Sequence, residues 1–356
     1  MTLLFSQTTL GPLKLQNHLV MSPLTRNRAT GNVPNALMAE YYAQRATVGL
    51  IITEGTSPSP NGLGYPRIPG AFSPEQTAGW KLVADAVHAK GAKIFMQLMH
   101  CGRIAHPLNL PAGARMMAPS AVPAAGEIYT DAEGLKQHPT PQAMTQADLT
   151  ATIAEYVTAA RNAVAAGLDG VELHGANGYL LGQFIRPNSN QRTDAYGGSI
   201  ENRTRLLAEV TAAVAAAIGA DRVGVRLSPV SPFNDATDSQ PQALFGRAVE
   251  RLDEIGIAYV HVIEGETGGR RDLPFDFAAL RRRFRGTWIV NNGYDRDSAA
   301  ATIAAGDADL VAFGRLFIAN PDLVRRLREN APLNALDTGT LYGGDAHGYT
   351  DYPVLG

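Results

Sequence analysis

The sequence predicts an α/β protein folded as one closed (β/α)8 TIM barrel, and three observations carry that reading. Eight short β-rich apolar runs alternate with eight segments of helical period. The runs are continuous rather than alternating in polarity, as strands buried on both faces should be. No Gly-x-Gly-x-x-Gly follows the first run, which argues against the other arrangement considered, a doubly wound open sheet.

The elements follow in chain order. Residues 2–17 precede the first run and are expected as a hairpin closing the barrel floor. The predicted strands are 19–22, 50–53, 93–98, 170–173, 223–227, 259–263, 288–291 and 310–313. The predicted crossover helices are 35–46, 73–90, 145–166, 201–218, 240–255, 277–284, 295–305 and 321–329, several opened by a Ser, Thr or Asp cap. Residues 101–143 are rich in Pro, Gly and Ala and have no convincing periodicity. That length exceeds a usual strand-to-helix loop, so the segment is read as a lid inserted after strand three of a single domain spanning 1–356. A second excursion, 180–199, follows strand four.

Composition narrows the function. With 45% hydrophobic residues the chain can bury a large core, and a net charge of -2 offers no field for gathering nucleic acid. The single cysteine, Cys101, excludes an internal disulfide and any Cys-based cluster, which suits a reducing compartment. No leader pattern opens the chain and no apolar run approaches the roughly 20 residues that span a bilayer. The expectation is a cytoplasmic enzyme, monomer or homodimer, acting on small molecules without nucleic-acid or membrane partners.

The chemistry concentrates just past strand four. His174 and Asn177 could each donate a hydrogen bond to one substrate oxygen, and Tyr179 carries a phenolic proton. The alternative is that Tyr179 is a packing residue. After strands seven and eight, Asn292-Gly293 and Gly314-Arg315 occupy the usual place of a barrel phosphate site. Glycine lets backbone amides approach an anion and Arg315 offers a fork for phosphate oxygens, unless both glycines are ordinary turn residues. Thr25, Gly55, Gln97 and Arg226 end other strands. Arg226 lies on an apolar run and needs an electron-rich partner, either the edge of a reduced flavin or Glu172 in a structural salt bridge.

In order along the chain stand Met21-Ser-Pro-Leu-Thr-Arg26, Ala39-Glu-Tyr-Tyr-Ala-Gln-Arg45, His174-Gly-Ala-Asn-Gly-Tyr179, Arg192-Thr-Asp-Ala-Tyr-Gly-Gly198, Glu201-Asn-Arg203, Phe313-Gly-Arg315 and Gly348-Tyr-Thr-Asp-Tyr-Pro353. Over nearly its whole length the chain resembles the Old Yellow Enzyme family of FMN-dependent ene-reductases. The resemblance implies that Pro23, Thr25, Gly55, Gln97 and Arg226 hold the flavin ring, and that Asn292, Gly293, Gly314 and Arg315 hold its phosphate. It implies that His174 and Asn177 bind the carbonyl or nitro oxygen of an activated alkene while Tyr179 protonates one alkene carbon. NADPH or NADH would be the reductant, FMN N5 the hydride donor, and Tyr342 a pocket wall. Thr25 resembles the threonine-containing branch. Met99 stands where many members carry tryptophan and Tyr65 where a close subset has another, so a wider pocket is expected and the family's substrate preference and facial selectivity do not carry over.

Other readings are weaker. A Schiff-base aldolase needs a lysine at the catalytic rim, yet among the lysines only Lys93 touches a strand, and it begins it. A metal-dependent hydrolase needs converging ligands, and His174, His261, Glu54 and Glu264 lack a ligand spacing. His100 is read as a polar residue closing strand three. Residues 266–272 form either a flap meeting the nicotinamide or its phosphate, or a solvated loop. A flavin-binding sensor without turnover is the non-enzymatic alternative.

Overall fold

A computed structural model describes residues 2–356. The strands are β1 (Leu19–Met21), β2 (Leu50–Ile52), β3 (Lys93–Leu98), β4 (Gly170–His174), β5 (Val223–Leu227), β6 (Tyr259–Ile263), β7 (Thr287–Asn291) and β8 (Leu310–Phe313). They form one closed parallel barrel in chain order, with Val311 of β8 opposite Leu19 of β1 at the closure. Every strand lies within one residue, at either end, of its sequence expectation.

The crossovers are α1 (Ala36–Gln44), α2 (Pro74–His88), α3 (Gln146–Ala165), α4 (Arg205–Ile218), α5 (Pro241–Ile255), α6 (Phe277–Arg281), α7 (Arg296–Ala305) and α8 (Leu323–Glu329). Ser73, Thr145 and Asp295 each build a capping box, worth about 1 kcal/mol apiece. The helix expected over 201–218 is not continuous: a separate turn, Ile200–Arg203, precedes α4. Thr204 lies between them, and its hydroxyl donates back to the Ile200 carbonyl at 2.9 Å, the competing bond that Thr makes inside a helix.

Alternation along the strands sorts the core. Outward residues such as Ile51, Ile94, Val171, Val225, Val260 and Val311 pack beneath the helices. Inward residues Val20, Leu50, Phe95, Tyr259 and Leu310 fill the floor. Gly170 and Gly224 leave room for the two inward rings: a Cβ on Gly170 would stand 2.6 Å from the Phe95 ring, and one on Gly224 2.1 Å from the Tyr259 ring. The expected N-terminal hairpin is Thr8–Leu10 paired antiparallel with Leu13–Leu15, and its Leu10 and Leu15 plug the floor.

Above the floor the inward positions turn polar, with Gln97, Glu172, Arg226, His261 and Asn291. The stretch 101–143 carries structure that its composition hides. Glu127–Thr130 and Gly134–Gln137 form an antiparallel hairpin, and Met117–Ala118 pairs in parallel with Gln142–Ala143. Among the described residues no helix is long and apolar enough to cross a membrane.

Candidate active site

His174 ends β4 pointing inward, opposite Arg226 of β5 in the register. The chain then passes through left-handed backbone at Asn177 (φ 55°) and Gly178 (φ 69°), a conformation that Asn and Gly tolerate. The turn swings Tyr179 back over His174, with ring centres 4.9 Å apart at 60°. Three proton-bearing side chains thereby gather on one wall.

Each has one end tied down. The Ala176 amide donates to His174 Nδ1 at 3.3 Å, which places the ring proton on Nε2. Burial, then the neighbouring Arg226 and His261 charges, holds the His174 pKa well below the ordinary value, so the imidazole is neutral. Thr267 Oγ1 donates to Asn177 Oδ1 at 2.6 Å, leaving Nδ2 as the free end of the carboxamide. The Tyr179 hydroxyl lies 3.1 Å from that of Tyr65, and burial raises its pKa well above that of a free phenol. Tyr179 is therefore held protonated.

The floor of the site is the polar layer. Glu172 accepts from Gln97 Nε2 at 2.8 Å and stands 2.9 Å from His261 Nδ1, all three side chains buried. Arg226 takes neither carboxylate oxygen. Its sole hydrogen bond among the described residues runs to Asn291 Oδ1 at 2.9 Å, and its buried Nε has no partner. The Arg226–Glu172 salt bridge weighed from sequence is absent among the described residues.

Pro23, Thr25 and Gly55 follow β1 and β2 on the same rim, Pro23 and Gly55 buried and Thr25 half-buried. Met99 lies against Gly55, where a Cβ would come 2.5 Å from the Met99 sulfur. Asn292 (φ 102°) and Gly293 (φ 67°) are both left-handed. The Asn292 side chain is spent on the loop after β6, donating to the carbonyls of Glu264 at 2.7 Å and Glu266 at 2.9 Å. Gly314 precedes the short helix Arg315–Ala319, and Arg315 is exposed beside Gly268. Tyr342 is 67% exposed, on a C-terminal segment tied down where the Gly343 amide donates to the Arg26 carbonyl at 2.9 Å. It makes no hydrogen bond with His174, Asn177 or Tyr179.

Other residues considered from sequence are placed elsewhere. His100 is buried, with a pKa pushed down to about 3 by burial, and its Nδ1 accepts from the Gly102 amide. Lys93 pairs with Asp169 at 3.2 Å at the opposite rim. Among the described residues no cluster of three or more His, Cys, Asp and Glu side chains could hold a metal. In the loop 266–272, Arg270 pairs with Asp272, while Arg271 pairs with Glu264 and lies 4.0 Å from the Tyr294 ring centre.

Sequence reasoning missed the Gln97–Glu172–His261 layer and the hydroxyls of Ser228, Ser231 and Thr267. The first had a signal, since polar residues recur at the inward positions of β3, β4, β5 and β6. The hydroxyls had none, because Ser228 and Thr267 reach Asn177, and Ser231 reaches Thr267, only through folded loops.

The profile of the NADH:flavin oxidoreductase / NADH oxidase family matches residues 3–334. The chain is 44% identical to 12-oxophytodienoate reductase 7 of Oryza sativa subsp. japonica, covering 99% of this chain and 95% of that protein. It is 45% identical to 12-oxophytodienoate reductase 1 of the same organism, covering 97% and 91%. Among solved structures it resembles morphinone reductase, with a TM-score of 0.95, 44% identity and coverage of 99% and 96%. It also resembles the old yellow enzyme homologue from Zymomonas mobilis, with a TM-score of 0.95, 42% identity and coverage of 99% of both chains.

Proposed function

The chain belongs to the NADH:flavin oxidoreductase / NADH oxidase family as an Old Yellow Enzyme, and from that premise we propose that it reduces the C=C bond of activated alkenes with NADPH or NADH. The substrates would be α,β-unsaturated aldehydes, ketones, imides and nitroalkenes. The observation that carries the reading is the convergence of three uncharged proton donors, His174 Nε2, Asn177 Nδ2 and the Tyr179 hydroxyl, on the rim next to Arg226.

Arg226 also tests whether FMN fits. A buried guanidinium with one hydrogen bond, an orphan Nε and no carboxylate partner calls for an electron-rich ligand, and a flavin ring edge is one. Pro23, Thr25, Gly55 and Gln97 would hold the ring with it. Asn292, Gly293, Gly314 and Arg315 would hold the phosphate, Asn292 through its backbone because its side chain is engaged. The chemistry supplied by bound FMN is two-electron storage, hydride taken from the nicotinamide nucleotide and delivered to an alkene carbon.

The chain's own residues do the rest. His174 and Asn177 donate to the carbonyl or nitro oxygen, and both bonds strengthen as negative charge grows there. Tyr179 delivers its proton to the second alkene carbon, and its raised pKa returns the phenolate to the neutral form. Tyr65, Met99 and Tyr342 would shape the substrate pocket. The segment 101–143 would serve as a lid within the single domain, its hairpin joined to the Tyr65 loop by an ion pair between Asp131 and Arg67. Purified protein should be yellow, release FMN on denaturation, and oxidise NADPH or NADH steadily when an enone is added. Colourless protein that FMN cannot reconstitute rules the reading out.

A further inference from the structure

Asn177 can serve a substrate oxygen only if its carboxamide presents the right end, and nothing in the residue itself decides which. Turned over about its Cβ–Cγ bond, the group would aim Oδ1 into the pocket, where it repels the oxygen it is meant to bind. The backbone on either side is already fixed. The Asn177 amide donates to Ser228 Oγ at 2.9 Å, and its carbonyl accepts from Asn234 Nδ2 at 2.8 Å. Rotation of the carboxamide is the freedom left to be controlled.

We propose that Thr267 is a positioning residue that fixes the Asn177 carboxamide with Nδ2 toward the pocket, an inference that rests on the oxygen-binding role given to Asn177 above. Thr267 Oγ1 is 2.6 Å from Asn177 Oδ1 and 2.8 Å from Ser231 Oγ, and Ser231 Oγ also accepts from the Thr267 amide at 3.0 Å. Each hydroxyl has one proton. With the Thr267 proton given to Asn177, the Ser231 proton is directed to Thr267, and the donors run in one line from Ser231 through Thr267 and Asn177 to the substrate oxygen.

The loop that carries Thr267 is itself anchored. Asn292 of the phosphate end holds the carbonyls of Glu264 and Glu266, and the Glu266 amide donates to the Arg270 carbonyl at 2.7 Å. Arg271, paired with Glu264, braces the loop's far side. Thr267 thus meets Asn177 from a different strand connection, 90 residues along the chain.

The test uses FMN-loaded enzyme and two readouts, binding of para-nitrophenolate followed by the change in flavin absorbance, and kcat and KM for cyclohexenone. Thr267→Val removes the hydroxyl at nearly constant shape and should weaken both phenolate affinity and kcat/KM by about tenfold, the loss of one well-placed hydrogen bond. Thr267→Ser should restore both, and FMN content and melting temperature should stay at the wild-type values. Ser231→Ala should give a smaller loss of the same kind. In an N177A background neither T267V nor S231A should cause any further loss. The proposal is overturned if T267V matches wild type, if T267S is as impaired as T267V, or if the T267V or S231A loss multiplies with that of N177A. A wild-type holoenzyme that neither binds the phenolate nor reduces the enone overturns the functional reading beneath it as well.

Discussion

Burial denies His174 a charge. A neutral imidazole with Nδ1 occupied has one donor, and in the proposed reaction that donor would strengthen its bond as the substrate oxygen becomes negative. Replacing His174 and Asn177 together by Ala should lower kcat/KM for an enone by about 3 kcal/mol per donor lost, while FMN content stays near one per chain. Equal loss of flavin and of turnover would place the two residues in cofactor binding instead. Tyr179→Phe should depress enone reduction far more than nitroalkene reduction, since a nitronate can leave the site and be protonated by water. Equal depression of both, measured side by side, would remove Tyr179 from the acid role. His174, Asn177 and Tyr179 were legible because one turn of six residues carries them all. Thr267 was not, since nothing in a Gly-rich loop tells which of its polar groups will meet a residue on another strand.

The C-terminal segment shows why distant motifs travel together. Arg26 follows β1, and its fully buried guanidinium donates to the carbonyls of Leu341 and Gly348, each at 2.8 Å. Arg45, just past α1, donates to Phe317 and Ile318 carbonyls at 2.8 Å and to that of Tyr349 at 3.2 Å. Tyr349 stacks on Tyr41 with centres 4.0 Å apart. The arginines thus lock the stretch that carries Tyr342 onto the barrel. Arg26→Met should cost about 2 kcal/mol by orphaning buried carbonyls, and should expose 340–350 to limited proteolysis. Unchanged stability and protease resistance would mean that the clamp is carried elsewhere. Strands and crossovers were readable because strands buried on both faces must be apolar and crossovers must carry a helical stripe. The hairpin within 101–143 was not, since Ile128 and Thr130 are the buried residues of a four-residue strand amid Pro and Gly, too short a pattern to stand out. Thr204, which parts the Ile200–Arg203 turn from α4, makes a local bond that helix periodicity does not encode.

Two buried groups give the barrel opposing pH dependences. The unfolded chain protonates His100 near its ordinary value of about 6.5, whereas the folded chain does so only near pH 3. Between those values the unfolded state binds the extra proton, so stability falls as pH falls. Buried Glu54 works the other way: its pKa, raised to about 7 by burial, gives a contribution present at low pH and lost as pH rises toward 7. Denaturant unfolding at pH 6.5 and pH 4 should show a smaller loss for His100→Gln than for wild type. An equal loss would assign the acid sensitivity to other groups.

In the proposed function the barrel top is a flavin site whose wall binds and protonates an alkene. The most direct check is a single turnover without oxygen: the yellow holoprotein should bleach with NADPH or NADH, then regain its colour on adding cyclohexenone, with one equivalent of saturated ketone formed. Protein that takes up FMN and bleaches, yet stays bleached with the enone and yields no saturated ketone, contradicts the account.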